Sequence, residues 1–100
     1  MLVKLRIEAQ FDILGGTRFY EVQHQGLGEY FKQSVRSELD SLNRSAGIHE
    51  SLGFCFRKLV RKFPFAIFYI LENDMVDVFA ILDCRQDPET IAGRIRDVSE

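Results

Sequence analysis

Phe65-Ala66-Ile67-Phe68-Tyr69-Ile70-Leu71 is an unbroken run of seven apolar or aromatic residues, entered through Pro64 and followed by Glu72-Asn73-Asp74. It is far shorter than the roughly 20 residues a membrane-spanning helix needs, and it is rich in residues that favour strands. Being apolar on both faces, it reads as a central strand of a sheet. Pro64 cannot donate to a ladder and so belongs at the strand's start. Asn73-Asp74 reads as a two-residue hairpin turn into a second strand, Met75 to Leu82, with Val76, Val78, Ala80 and Leu82 on one face. Phe54 to Val60 reads as the strand before it. The three should form an antiparallel meander.

The residues upstream carry a different period. Leu2 to Ile7 alternates, with Val3, Leu5 and Ile7 on one side and Lys4 and Arg6 on the other, as in a half-buried strand. Ala9, Ile13, Gly16 and Tyr20 then mark one face of a helix. Gly15-Gly16 interrupts it at a cost of about 1 kcal/mol per glycine relative to alanine. Tertiary packing must hold that helix, or it breaks there. A glycine pair on the buried face also lets another element approach closely. After Gly26-Leu27-Gly28, the residues Leu27, Phe31, Val35, Leu39 and Leu42 mark a second helix, so the two form an antiparallel hairpin. Asn43 to Gly53 reads as a loop. Asp87-Pro88 starts a short last helix, with Asp as N-cap and Pro at its first position, and Ile91, Ile95 and Val98 as its apolar side.

The order is β-α-α-β-β-β-(α), an α+β fold in one domain over residues 1–100. The first strand joins the meander's sheet, and the helical hairpin covers one face. The other face is expected to stay relatively open, with the meander's basic residues on it or at its rim. Apolar residues make up 46% of the chain and charged residues 28%, which excludes a disordered or low-complexity polymer. No signal peptide is visible, because charge breaks the first apolar stretch, and a cytoplasmic location is expected. Cys55 and Cys84 sit in apolar strand-like runs without metal or redox spacing, and two histidines cannot build a zinc site alone. No cofactor is expected.

The net charge is −2, but it is unevenly spread. Phe54 to Ile70 holds four bases, Arg57, Lys58, Arg61 and Lys62, and no acid. Leu71 to Glu89 holds six acids and one base, Arg85. A locally basic segment in an acidic molecule can attract an anionic partner. The plainer reading is that Lys and Arg guard a strand edge against pairing.

Three stretches resemble one family. Arg57 to Tyr69 is similar to the R-x-x-x-x-R-F-P-Y-x-I-Y-Y region of the RelE/ParE superfamily of type II toxin–antitoxin toxins, also known as plasmid stabilisation proteins. Ala80 to Pro88 resembles that family's A-x-x-H-x-R-R-D-P. Phe19-Tyr20, Gly26-Leu27-Gly28 and Phe31 resemble its W-Y-x-x-x-x-x-G-L-G-x-x-F hairpin. Together they span residues 3–90 in order. The resemblance implies a small cytoplasmic bacterial protein that arrests growth and is neutralised by a cognate antitoxin, which wraps the open sheet face or the helical hairpin. It implies one of two targets. RelE-like members cut mRNA on the ribosome, whereas ParE-like members inhibit DNA gyrase. It does not fix an oligomeric state.

Cutting RNA through its 2′-hydroxyl needs a base, an acid and cations for the phosphorane. Arg57, Lys58, Arg61, Lys62 and Arg85 are the candidate phosphate or target contacts. The acid–base pair is hard to find. Asp83 stands where the family often has His, Gln86 where it often has a second Arg, and no Tyr or His follows Asp87. A negative net charge also opposes binding among ribosomal phosphates. Both observations favour the ParE-like branch, with a RelE-like nuclease or an inactive relative as alternatives. Plainer readings exist for each residue. Arg61-Lys62 can be a solvated turn, and Arg85 can pair with Asp83 or Asp87. Tyr69, Phe63, Phe65 and Ile67 read as packing, and Tyr20 as a core residue with a tethered hydroxyl. Cys84 reads as a buried inert thiol, and His24 and His49 as facing solvent.

Overall fold

The computed structural model describes residues 1–99. Strand β1 (Leu2–Leu5) leads into helix α1 (Ile7–Gln23), and helix α2 (Leu27–Ser45) follows. Strands β2 (Glu50–Ser51), β3 (Phe56–Leu59), β4 (Phe65–Glu72) and β5 (Met75–Asp83) come next, and helix α3 (Pro88–Ser99) ends the chain. The sheet order is β1-β5-β4-β3-β2, with β1 parallel to β5 and every other pair antiparallel. The expected α+β order and meander are thus present. Asn73 and Asp74 both take positive φ, 52° and 60°, as a tight two-residue hairpin requires. The Asp87 side chain accepts the Glu89 N–H at 3.2 Å, which is its capping role at the start of α3.

The hairpin packs on one face of the sheet. Ala9 and Tyr20 of α1 and Phe31, Val35 and Leu42 of α2 are buried against Phe65, Ile67, Tyr69, Val76, Val78 and Ile81. Helix α1 passes through Gly15-Gly16 unbroken. The reason is contact: a Cβ on Gly16 would lie 2.6 Å from the Phe31 ring, and one on Gly28 would lie 2.5 Å from the Thr17 carbonyl oxygen. The two helices touch where they have no side chains. Glu21 closes the turn between them, accepting the Gly26 N–H at 3.0 Å and the Gly28 N–H at 3.0 Å. These are first-turn donors of α2 that would otherwise lack partners.

Three expectations need correction. The Asn43–Gly53 stretch is not all loop, since α2 reaches Ser45 and Glu50–Ser51 pairs with Arg57 and Phe56. The face away from the hairpin is not open. Cys55, Ala66, Phe68, Phe79, Ala80 and Leu82 are buried there, and Ile91, Ile95 and Val98 of α3 pack on them. Strands apolar on both faces demand cover on both. Finally, Val76, Val78, Ala80 and Leu82 do not share a face. A register shift opposite Phe68 and Tyr69 inserts Phe79 as an extra residue. Val76 and Val78 point to the hairpin, whereas Ala80 and Leu82 point to α3.

The glycines give a three-way test. Gly15 has open space where its Cβ would go, so Gly15→Ala is expected to stabilise by up to about 1 kcal/mol through helix propensity. Gly16→Ala and Gly28→Ala are expected to destabilise by about 1–3 kcal/mol through overpacking. Shifts of the urea midpoint at constant slope would measure all three.

Candidate functional site

The five candidate cations do not form one patch. Residues paired across a ladder share a face, so Lys58, opposite Ile67, points to the hairpin side, whereas Arg57, opposite Phe68, points to the α3 side. Arg61 and Lys62 lie in the β3–β4 turn, where Lys62 has φ of 74°. Arg85 sits past the end of β5. The expected display of the meander's bases on one open face is therefore replaced by four separate locations.

Most of these charges already have partners. Arg57 Nη2 lies 2.6 Å from Glu50 Oε1, and Arg85 Nη2 lies 2.8 Å from Asp83 Oδ2. The expected Arg85–Asp83 ion pair is present. It holds the Asp83 carboxyl below its usual range against the opposing effect of burial. Arg85 also opposes the burial that raises the Tyr20 hydroxyl. Lys58 Nζ lies 2.8 Å from Glu38 Oε1, and both side chains are nearly enclosed. Arg61 Nε is 3.5 Å from Glu38 Oε2 and its side chain is 86% exposed. Lys62 Nζ stands 5.5 Å from the centroid of the Tyr30 ring. Arg61 and Lys62 thus project above a cleft lined by Tyr30, Ser34, Ser37 and Glu38, while Arg85, 61% exposed, projects elsewhere.

Glu38 organises this end. It lies on the apolar stripe of α2, between Val35 and Leu42, and is 6% exposed. Its carboxylate accepts the Arg61 N–H at 3.0 Å and binds Lys58, so it ties the β3–β4 turn to the helix. Burial pushes its pKa up, but Lys58, the Arg61 N–H and the Arg61 charge more than offset this and leave it below the ordinary value. Sequence reading missed Glu38. The signal was an acid on an otherwise apolar helix face, in a chain whose basic segment had no acid of its own.

A second group lies beside it. Gly47 N–H donates to the Tyr69 hydroxyl at 2.9 Å, and His49 Nδ1 lies 2.6 Å from that oxygen. Tyr69 is fully buried, stacked on Phe56 with ring centroids 5.3 Å apart. Its reading as packing holds, but His49 is half-buried and bonded rather than facing solvent. His24 is exposed as expected. Cys55 is buried just before β3, and Cys84 is an exposed turn residue rather than a buried strand thiol. Desolvation raises the pKa of both thiols, which disfavours the thiolate at neutral pH.

The outer side of the hairpin forms a third feature. Ile7, Phe11, Leu14, Phe19 and Val22 of α1 are exposed, Phe11 by 64% and Val22 by 88%. An apolar cleft continues from there between the helices and β1, over Leu5, Ile13, Val35 and Leu39. Lys32, Arg36 and Arg44 of α2 stand along its rim.

Glu38→Gln should leave Lys58 without its counter-charge and lower stability by about 3 kcal/mol at neutral pH. The folded-state pKa is depressed, so the carboxylate's contribution is complete above the ordinary Glu value, about 4.3, and is lost as pH falls through the lowered value. The stability gap between the wild type and Glu38→Gln, followed by urea denaturation, should therefore close on acidification.

No family model matches this chain, and no curated protein matches it in sequence. Solved structures do match. A chain of the chromosomal ParDE TA system from P. aeruginosa aligns over 81% of this chain and 92% of its own, with 17% identity and a TM-score of 0.71. The isolated E. coli RelE toxin aligns over 95% of this chain and 96% of its own, with 14% identity and a TM-score of 0.58. With three helices and a five-stranded sheet in this order, the chain has the RelE/ParE toxin fold.

Proposed function

We propose that this chain is the toxin of a bacterial type II toxin–antitoxin module, and that it arrests growth in the ParE manner, by binding DNA gyrase. The fold supports the first part, since both ParDE and RelE structures share it. The observation that carries the second is the sheet face opposite the hairpin. It is apolar, built from Ala66, Phe68, Phe79, Ala80 and Leu82, and roofed by α3. The ionisable groups on it, Arg57 and Asp77, are held by Glu50 and Arg6. Tyr20, Tyr69 and His49 all belong to the hairpin side. Among the described residues, that face carries no tyrosine or histidine, and its carboxylates Glu50 and Asp77 are engaged by Arg57 and Arg6, which argues against the free acid–base pair that RNA cleavage requires.

A RelE-like nuclease is the second reading. It is favoured by the match to RelE along nearly the whole chain and by the exposed Arg61 and Lys62.

The partner in either reading is a cognate antitoxin, and the outer hairpin cleft suits it. Exposed Phe11, Leu14 and Ile7 would take apolar anchors, while Lys32, Arg36 and Arg44 would take acidic flanks. The protein is expected to act in the cytoplasm, where both targets are found, and to need no cofactor.

Induction in a bacterial host separates these readings. Filamentous cells with a DNA-damage response are expected, and loss of supercoiling activity when purified gyrase is mixed with the chain. Codon-phased mRNA cuts with an abrupt stop of translation would replace gyrase with the ribosome. Unimpaired growth with free accumulation of the chain would overturn the toxin assignment itself. Replacing Arg57, Arg61 and Arg85 together by Ala should relieve the arrest, with the exposed Arg61 contributing most; retained toxicity would make the cations purely structural.

A further inference from the structure

The segment that links α2 to the meander is held by few polar contacts, and one of them can change with a proton. Ala46 packs against the core and Gly47 lies beside the Leu71 side chain. Among the described residues, the polar links from Ala46 to Ser51 to the sheet are the Gly47 N–H on the Tyr69 hydroxyl, the His49 imidazole on the same oxygen, and the two-residue pairing of β2 with β3. Glu50, in that pairing, carries the carboxylate bound to Arg57. Gly47 has φ of 95°, which presents its N–H to the tyrosine and which other residues resist.

The hydrogens of this cluster can be placed by satisfaction. The Tyr69 oxygen accepts the Gly47 N–H, so its own proton needs an acceptor, and Tyr69 is fully buried. His49 Nδ1, at 2.6 Å, is that acceptor. The imidazole is therefore neutral, with its hydrogen on Nε2. A protonated ring would turn Nδ1 into a donor. The tyrosine oxygen would then face two donors, and its own proton would lose its acceptor on a fully buried side chain.

We propose that His49 and Tyr69 form a proton-operated latch, which clamps Ala46 to Ser51 onto the sheet and lets go of Arg57 when the imidazole is protonated. The charged neighbours agree in sense. Burial and the Lys58 charge of β3 hold the imidazole below its ordinary value, and Glu38 of α2 opposes them only in part. The tyrosine of β4 is itself raised by burial and stays protonated. The Glu50–Arg57 pair lies on the far side of the β2–β3 ladder from Tyr69, so it feels the change through β2 rather than directly. A lowered folded-state value means the latch is complete above the ordinary histidine range and weakens as pH falls through the lowered value. Opening would free Arg57 and loosen a segment that bears exposed Ile48. The inference rests on this geometry alone and holds whatever the chain's target.

The test is NMR of the whole chain from about pH 7.5 down to 5.5, the range in which histidine titrates. His49 is expected to titrate below the ordinary histidine value, about 6.5, with its neutral form protonated at Nε2. Through that titration the exchange protection of the Gly47 amide and of the β2–β3 amides, corrected for intrinsic rate, should fall several-fold. Protection between β4 and β5 should hold. Tyr69→Phe should raise the His49 titration toward the ordinary histidine value, and His49→Asn should remove the pH dependence at Gly47. Titration of His49 at or above the ordinary histidine value would overturn the latch. So would protection that stays level at Gly47, or that falls equally in every strand.

Discussion

Two adjacent strands with no polar side leave this chain one arrangement. β4 and the greater part of β5 are buried on both faces, so the sheet they form must be sandwiched. The hairpin of α1 and α2 supplies one layer, and α3 with Cys55 and its neighbours supplies the other. β1 is too short to pair along all of β5. Where it ends, α1 takes over, and Asp12 accepts the Ile81 N–H at 3.0 Å in place of a strand partner. Arg94 of α3 binds the same carboxylate at 2.9 Å. One aspartate thus completes the sheet's ladder and joins the layers on its two sides.

The hairpin layer depends on close approach. Gly16 meets Phe31, and Gly28 meets the backbone of Thr17, so the helices sit nearer than side chains would allow. This brings Tyr20, Phe31, Phe63 and Phe65 into one aromatic cluster with centroid separations of 4.8–6.1 Å. It also sets α2 close enough to β3 for Glu38 to reach Lys58 and the turn beyond. The projecting pair Arg61-Lys62 is therefore mounted on a fixed base, while the linker around His49 is held by a small number of polar contacts.

Periodicity in the sequence made both helical faces legible, since Ala9, Gly16, Tyr20, Phe31, Val35 and Leu42 are all buried. Turn chemistry made Asn73-Asp74 and Asp87-Pro88 legible as well. The second layer was visible too, in the apolar residues of Ile91, Ile95 and Val98 and in the two-sided strand that needed them. It was lost by treating the last helix as an appendage. Two features were out of reach of alternation. The extra residue at Phe79 leaves no mark in composition, because Val78, Phe79 and Ala80 are all apolar. Ion pairs across the fold, such as Lys58 with Glu38, join residues 20 positions apart, and charge counted along the chain cannot see them.

That extra residue has a consequence for how such a protein can change over generations. Because the extra residue shifts the alternation of β5 by one, Val76 and Val78 before it and Ile81 after it face the hairpin, while Phe79, Ala80 and Leu82 face α3. Substitutions at Ala80 and Leu82 can reshape the α3 side while Val76 and Val78 keep the hairpin seated. A single strand is in this way divided into two compartments open to separate selection, and one surface of the fold can diversify without unmaking the other.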